Sequence, residues 1–280
     1  MSGRGFAAAE AYSPRPLTAG ERWTAEALAT LRRGGYGPRS WVQFLRSALE
    51  RSAENRRARP ELVRQARGWG LAGAVAWVGA WAFLRPRLRL FRALAWWLAV
   101  WQMLDWHLGM TEGGDGRPRG RLSPADAITL TRFWLVPALH PAGASPRVLP
   151  LVILAGGATD WADGVVARRH GRTRLGRDLD TTADLAFLTA SAASARAAGR
   201  LTRLGAWSIG LRYALGVSLA LGAVFGRARR PAIRARPLGG ALRVAGLVLS
   251  TAGRPRAGTL VLVIGCAIPP RSTAPRLSLA

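Results

Sequence analysis

The sequence contains no lysine and a single cysteine, Cys266, in 280 residues. All 41 basic residues are therefore arginines, and because only 15 residues are acidic the formal net charge is +26. One cysteine cannot form an intramolecular disulfide, and a lone cysteine in an apolar run is usually a small buried hydrophobic residue. The single cysteine therefore excludes a disulfide-stabilised scaffold.

An N-terminal apolar stretch is also missing, so residues 1–16 predict no cleavable signal peptide. The chain is nevertheless apolar, since 49% of its residues are hydrophobic and 12 are tryptophan, and the mean hydropathy is +0.09. A basic disordered tail would be far more polar, and a basic soluble protein would not carry long apolar runs. We therefore predict a membrane protein that inserts through internal segments and has no nucleic-acid partner.

Residues 1–68 form an arginine-rich extension that we expect on the cytoplasmic side of the membrane. Within it, the stretch 39–50 predicts an amphipathic helix with arginines on its polar face. The apolar face follows the spacing i, i+3, i+4, i+8 and consists of Trp41, Phe44, Leu45 and Leu49. This helix could lie on an anionic membrane surface or pack against the rest of the protein.

Two apolar stretches, 69–84 and 88–104, follow the extension and are separated by Arg85-Pro-Arg87. Each is slightly shorter than the about 20 residues that a membrane-spanning helix needs. They predict a membrane hairpin within residues 69–110. The stretch 111–121, rich in glycine, proline and arginine, is interpreted as a linker.

Six further apolar segments occupy the rest of the chain, and residues 271–280 form a C-terminal tail. The segments cover residues 125–140, 147–167, 178–197, 204–225, 238–253 and 257–270. Backbone polar groups inside a bilayer must be satisfied within the chain, which favours helices. The sequence predicts an all-α integral membrane protein with a six-helix transmembrane core at residues 122–270.

Alternate connections between these segments are rich in arginine, which predicts a multi-pass protein of the cell membrane with these connections in the cytoplasm. The rich connections contain Arg117, Arg119 and Arg121, then Arg168, Arg169, Arg172, Arg174 and Arg177, then Arg227, Arg229, Arg230, Arg234 and Arg236.

Acidic residues are scarce beyond residue 126, where only five occur, all within 25 residues. They are Asp160, Asp163, Asp178, Asp180 and Asp184. The first two share one helix face at i, i+3, and Asp180 and Asp184 share another at i, i+4. Antiparallel packing of the two helices would bring four carboxylates together near the cytoplasmic surface, where Mg²⁺ or Mn²⁺ would neutralise them. Asp178 points elsewhere and is interpreted as solvated or paired with an arginine.

The stretches Asp160-Trp-Ala-Asp-Gly-Val-Val-Ala-Arg168 and Gly176-Arg-Asp-Leu-Asp-Thr-Thr-Ala-Asp184 resemble the signature of the CDP-alcohol phosphotransferases. That signature reads D-x2-D-G-x2-A-R, a short spacer, and G-x3-D-x3-D. All eight of its residues are present, which argues against an inactive member of the family. The resemblance implies a reaction in which a CDP-linked lipid, usually CDP-diacylglycerol, donates its phosphatidyl group to an alcohol and releases CMP in phospholipid biosynthesis.

The resemblance also implies roles for individual residues. Asp160, Asp163, Asp180 and Asp184 would bind the divalent metals, and Asp184 would also deprotonate the acceptor hydroxyl. Gly164, Ala167, Arg168 and Gly176 would line the pocket for the cytidine diphosphate. Relatives in this family suggest a homodimer.

Weaker similarities flank the signature. Thr129 and Arg132 match the family's first-helix pattern N-x2-T-x2-R, in which Asp126 replaces the asparagine. Ile209-Gly-Leu-Arg212 resembles a segment of members whose acceptor is itself phosphorylated, although Arg212 could instead snorkel or pair with an aspartate. We therefore predict acceptor or phosphate contacts for Thr129, Arg132 and Arg212.

The chain also departs from the family pattern in three places. The spacer after Arg168 has seven residues where eight are usual, and Thr181 replaces a common proline. A G-K-x2-T pattern is represented only by Gly239-Gly-Ala-Leu-Arg243.

Arg132 and Arg212 favour a phosphorylated polyol as acceptor, such as glycerol 3-phosphate or inositol phosphate. A cardiolipin-type synthase that uses phosphatidylglycerol is the alternative within the enzyme class. A non-catalytic basic membrane-anchored binding protein is the alternative of another class, but it gives the clustered aspartates no role.

Overall fold

The computed structural model describes residues 18–84, 89–113, 116–142, 145–171, 173–226, 233–234, 236–269 and 271–272. These residues form ten α-helices, one short 3-10 turn at Leu108–Met110 and two strands of two residues each. The helices are α1 Ala19–Arg33, α2 Pro38–Ala58, α3 Pro60–Leu84, α4 Leu90–Trp106, α5 Pro124–Ala142, α6 Val148–His170, α7 Arg174–Ala197, α8 Arg203–Phe225, α9 Pro237–Thr251 and α10 Pro255–Ala267. The strands, β1 Ile233–Arg234 and β2 Arg271–Ser272, pair antiparallel.

Capping side chains define where several helices begin. Thr18 and Glu21 form a reciprocal capping box at the start of α1. The hydroxyls of Thr173 and Thr202 accept hydrogen bonds from backbone N–H groups in the first turns of α7 and α8. Because these caps satisfy donors that have no partner within the helix, they fix each start to one residue.

The helices from α5 to α8 are joined by short connections and therefore alternate in direction. The start of α5, the end of α6 and the start of α7 lie at the same end of the bundle. This end carries the four signature aspartates and is called the aspartate end below. By the same alternation, α8 ends and α9 begins there.

Two helices, α6 and α8, are long and apolar enough to cross a membrane, and α9 and α10 are shorter apolar helices. Most of α8 is uncovered by protein, and its exposed residues include Leu204, Trp207, Leu211 and Leu215. Six helices lie between Pro124 and Ala267. Length and hydropathy support two of them as spans, so the six-span core stays a prediction. Arg172, Arg227, Arg229 and Arg230 lie outside the described residues.

The segments predicted as a membrane hairpin form α3 and α4, and the separating residues 85–88 lie outside the described residues. Tryptophan N–H groups on α4 and α5 donate to backbone carbonyls of neighbouring helices. These hydrogen bonds join α3 to α4 and join the hairpin to α5, in addition to the packing between the helices. The bonds join Trp97 to Gly70 (2.7 Å), Trp101 to Ala66 (3.1 Å), Trp134 to Gly73 (3.0 Å) and Trp96 to Phe133 (2.8 Å).

Close backbone contact joins α9 and α10. A Cβ atom on Gly258 would lie 2.4 Å from the backbone nitrogen of Ser250, and one on Gly246 would lie 2.6 Å from that of Leu262. Only glycine permits this approach, because the obstructing atoms belong to the backbone. The pairing holds α9 in place beside α6, and α9 carries an arginine of the candidate site.

Candidate active site

A short turn brings the two halves of the aspartate motif together. Helix α6 ends at His170 and α7 begins at Arg174. The preceding linker holds this turn from outside, since the Arg119 guanidinium donates to the carbonyl of His170 at 2.8 Å and the backbone N–H of Arg174 donates to the carbonyl of Glu112 at 3.0 Å. The turn therefore places the last part of α6 against the start of α7.

One arginine, Arg132 on α5, lies at the centre of the aspartates. Its side chain is 1% exposed and forms ion pairs with all four carboxylates. Nη2 contacts Asp163 at 2.6 Å and Asp160 at 3.3 Å, whereas Nη1 contacts Asp180 at 3.0 Å and also Asp184. Three helices thus meet around a single buried guanidinium.

The four carboxylates differ in exposure. The Asp163 side chain is 8% exposed, whereas those of Asp160, Asp180 and Asp184 are 45%, 45% and 31% exposed. Asp163 also accepts a hydrogen bond from the hydroxyl of Thr129 at 2.9 Å. Asp163 therefore lies against the protein interior, and the other three aspartates face the opening of the site.

The exposed three aspartates could hold a divalent cation. One carboxylate oxygen each from Asp160, Asp180 and Asp184 lies within 4.8 Å of the other two. Oxygen donors of this kind suit Mg²⁺ or Mn²⁺. The sequence predicted that all four carboxylates converge; in the structure Asp160, Asp180 and Asp184 form the group that could hold the cation, and Asp163 lies beneath them.

A second arginine, Arg243 on α9, contributes to the charge of the site. It lies close enough to interact electrostatically with Asp160 and Asp184, and its buried guanidinium donates to the carbonyl of Gly265 at 3.2 Å. Two arginines thus oppose four carboxylates, which leaves a formal charge of −2 for a cation to neutralise.

Sequence reasoning did not assign Arg243 or its neighbour Tyr213 to the site. The incomplete G-K-x2-T pattern at 239–243 was the available signal, because it ends on this arginine. Tyr213 on α8 lies near Asp184 and Arg243, and its buried hydroxyl has no hydrogen-bond partner among the described residues. The spacing of residues along one helix could not predict that these side chains lie close together, because Asp184, Tyr213 and Arg243 belong to three different helices.

The residues expected around the nucleotide lie beside the aspartates. On α6, Arg168 is exposed and forms no hydrogen bond or ion pair with any described residue. A Cβ atom on Gly164 would lie 3.3 Å from the Arg168 guanidinium, and Ala167 is half-buried on the same helix. A Cβ on Gly176 would lie 2.5 Å from a carboxylate oxygen of Asp126, so the first turn of α7 requires a residue without a side chain there.

Other predicted residues lie apart from this cluster. Arg212 on α8 is half-buried near Cys266 and forms no ion pair with the described aspartates. Asp178 pairs with Arg177 at 3.1 Å on the surface, in agreement with its interpretation as a solvated or paired residue. Cys266 is a free, half-buried thiol.

A family model described as CDP-alcohol phosphatidyltransferase matches residues 122–269, just over half of the chain. The chain belongs to the CDP-alcohol phosphatidyltransferase family. No curated protein and no solved structure matches the chain. The matched region contains α5 to α10 and all four signature aspartates, whereas α1 to α4 precede it.

Membership of the family supports an enzyme that transfers a phosphatidyl group from a CDP-alcohol to an alcohol acceptor. Together with the two helices of spanning length, it indicates a membrane protein. Arg132 belongs to the matched region, and its burial among four carboxylates makes it the first residue to test.

Replacing Arg132 with glutamine should lower the melting temperature of the purified protein in EDTA. Four carboxylates would then lose their shared cation, which we expect to cost on the order of 3 kcal/mol. Differential scanning fluorimetry of the detergent-solubilised protein measures the change. The matched control is Arg168→Gln, which removes an exposed arginine without an ion pair. Equal melting temperatures for Arg132→Gln and the wild type would contradict the central role of Arg132.

Proposed function

We propose that this protein transfers the phosphatidyl group of CDP-diacylglycerol to the hydroxyl of an alcohol and releases CMP. The observation that supports this best is the convergence of Asp160, Asp180 and Asp184 at the opening of one buried ion-pair cluster. A cluster of exposed carboxylates has no stabilising value by itself, because like charges repel. Its use is the binding of cations beside a diphosphate substrate.

Asp160, Asp163, Asp180 and Asp184 would hold the divalent metal. When bound, Mg²⁺ or Mn²⁺ would neutralise the diphosphate and stabilise the departing CMP. Arg132 keeps the four carboxylates together before substrate arrives. Because Thr129 and Arg132 both contact Asp163 from the interior, we assign them positioning roles in place of the direct phosphate contacts that the sequence suggested.

Asp184 is proposed as the general base. It is 31% exposed, so an acceptor hydroxyl can approach it, and its hydrogen bond to Arg132 orients the carboxylate. The proton leaves the hydroxyl for a carboxylate oxygen of Asp184 as the hydroxyl oxygen attacks the phosphorus. The bond that breaks joins this phosphorus to the bridging oxygen of CMP.

Arg168, with Gly164, Ala167 and Gly176, is proposed to receive the cytidine diphosphate. The free guanidinium of Arg168 can donate two parallel hydrogen bonds to phosphate oxygens. The small residues leave the adjacent helix surfaces open to a large ligand. The nucleotide would then lie over the end of α6 and the start of α7, beside the aspartates.

A phosphorylated polyol, such as glycerol 3-phosphate or inositol phosphate, is the proposed acceptor. Arg212 supports this choice, because a half-buried arginine without an ion pair to a described residue is available to an anionic ligand. Phosphatidylglycerol, which would make the enzyme a cardiolipin-type synthase, remains the second candidate acceptor.

Asp184→Asn should abolish transfer while the protein stays folded, because the amide cannot accept the proton. The measurement is CMP release from CDP-diacylglycerol, with size-exclusion chromatography as the check of folding. Asp178→Asn is the matched control, since Asp178 lies on the same helix but pairs only with Arg177. We expect a loss of at least about 100-fold for Asp184→Asn and nearly full activity for Asp178→Asn. Substantial turnover by Asp184→Asn would contradict the assignment of the base.

Arg212→Ala should raise the KM for a phosphorylated acceptor by about tenfold or more, since a charged hydrogen bond to phosphate would be lost. The KM for CDP-diacylglycerol should stay unchanged. Arg203→Ala, which changes an exposed arginine at the first position of the same helix, serves as the control. An unchanged acceptor KM in Arg212→Ala would contradict the proposed contact with the acceptor.

A further inference from the structure

A basic groove of about 420 Å³ lies where α2 meets α3. Its polar lining consists of Arg56, Arg57, Arg64 and Arg67, and its apolar lining includes Val63, which is 7% exposed. The groove belongs to the N-terminal extension and lies outside the region that the family model matches. Membership of the family therefore does not account for the groove.

The four arginines of the groove are not equally neutralised. Arg56 pairs with the buried Asp105 at 2.6 Å, and Arg64 pairs with Glu61. Arg57 and Arg67 are exposed and form no hydrogen bond or ion pair with the described residues. Two free guanidinium groups beside an apolar wall suit a ligand that combines a phosphate with an apolar part.

Helix α2 lies across the aspartate end of the bundle. Near its start, Trp41 packs against Phe225, the last residue of α8, with ring centroids 5.7 Å apart. Near its end, Arg56 pairs with Asp105 in the last turn of α4. Because α8 is long and apolar enough to cross a membrane, a helix lying against its end is at the level of the membrane surface.

One face of α2 is apolar and uncovered. Val42, Leu45 and Leu49 follow the spacing i, i+3, i+7 and are 67%, 54% and 51% exposed. The apolar face predicted from the sequence is therefore divided into a packed part and an exposed part. In the packed part, Trp41 contacts both Phe44 and Phe225. The amphipathic helix contacts the protein on one side and leaves an apolar row free on the next.

A row of arginines runs beside this apolar row. At about 100° per residue, Arg39, Arg46 and Arg57 project about 65–90° from the middle of the apolar row, and all three are exposed. Glu50 and Glu54 project further around the helix. This order of apolar, basic and acidic residues is typical of a helix that lies in a membrane interface.

We propose that α2 lies in the membrane interface and that the groove beside it binds the phosphate of an anionic phospholipid. The apolar row enters the boundary of the acyl chains, the arginine row lies among the headgroups, and Arg57 and Arg67 contact one phosphate. A nucleic acid would satisfy the arginines but would leave Val42, Leu45 and Leu49 in water. The bilayer is the one partner that matches both rows.

Lipid binding to the full-length protein tests the groove. Native mass spectrometry of the detergent-solubilised protein would count bound phosphatidylglycerol and phosphatidylcholine across a titration. The double variant Arg57→Gln/Arg67→Gln should lose at least about fivefold in apparent affinity for phosphatidylglycerol, because each arginine near an anionic headgroup contributes to binding. Phosphatidylcholine binding should stay unchanged.

Arg254→Gln/Arg256→Gln is the matched control, since it removes the same charge from two exposed arginines at the start of α10. It should bind phosphatidylglycerol like the wild type. Equal loss in both double variants, or no loss in either, would overturn the proposed site. Displacement of the lipid by millimolar inorganic phosphate would also overturn it, because the groove would then be a site for soluble anions.

A fluorescent probe tests the position of α2. In a Cys266→Ser background, an environment-sensitive dye on Leu49→Cys should be quenched by lipids that carry a spin label near the headgroup. The same dye on Gln43→Cys, an exposed position on the polar face, should be quenched much less. Equal quenching at the two positions would overturn the interfacial placement, whatever the groove binds.

Discussion

The ion pairs of Arg132 with four aspartates hold together the end of the bundle where the chemistry is proposed. Asp160 and Asp163 come from α6, Asp180 and Asp184 come from α7, and the arginine comes from α5. Four carboxylates at this distance would repel one another, and a single guanidinium with Arg243 nearby offsets only part of their charge. This arginine lies between the carboxylates and offsets part of their repulsion where the three helices meet.

The negative charge that Arg132 and Arg243 leave unneutralised connects the stability of the aspartate cluster to its proposed function of binding a cation. A fully neutral site would not attract a cation, whereas without Arg132 the mutual repulsion of the four carboxylates would weaken the packing of the three helices. The partial neutralisation keeps three carboxylates exposed for a metal while the fourth, Asp163, is held by Thr129 against the interior.

Much of this arrangement could be predicted from the sequence, because the relevant geometry is local. The i, i+3 and i, i+4 spacings place each pair of aspartates on one helix face, and the short α6–α7 connection makes the two helices neighbours. The apolar segments predicted most of the helices from α3 to α10 to within a few residues. Family membership, fixed by the signature, is confirmed by the matching family model.

The rest depended on contacts between helices that are distant in the chain. Nothing in the spacing of α9 shows that Arg243 approaches Asp160, because the close backbone contact between α9 and α10 determines its position. The start of α3 at Pro60 was also missed, because the charged residues within 60–68 lower its hydropathy, although Leu62, Val63 and Ala66 form a buried face there. For α2, the sequence left two alternatives open, and the structure shows a packed side and a free side on one helix.

The most direct test of the central claim is a product assay with the purified full-length protein in detergent or nanodiscs. The protein would be incubated with CDP-diacylglycerol, either Mg²⁺ or Mn²⁺, and glycerol 3-phosphate, inositol phosphate or phosphatidylglycerol, with EDTA as the comparison. We predict metal-dependent release of CMP together with one new phospholipid, identified by mass spectrometry. Equal CMP release in EDTA, or no lipid product with any acceptor and either metal, would contradict the account.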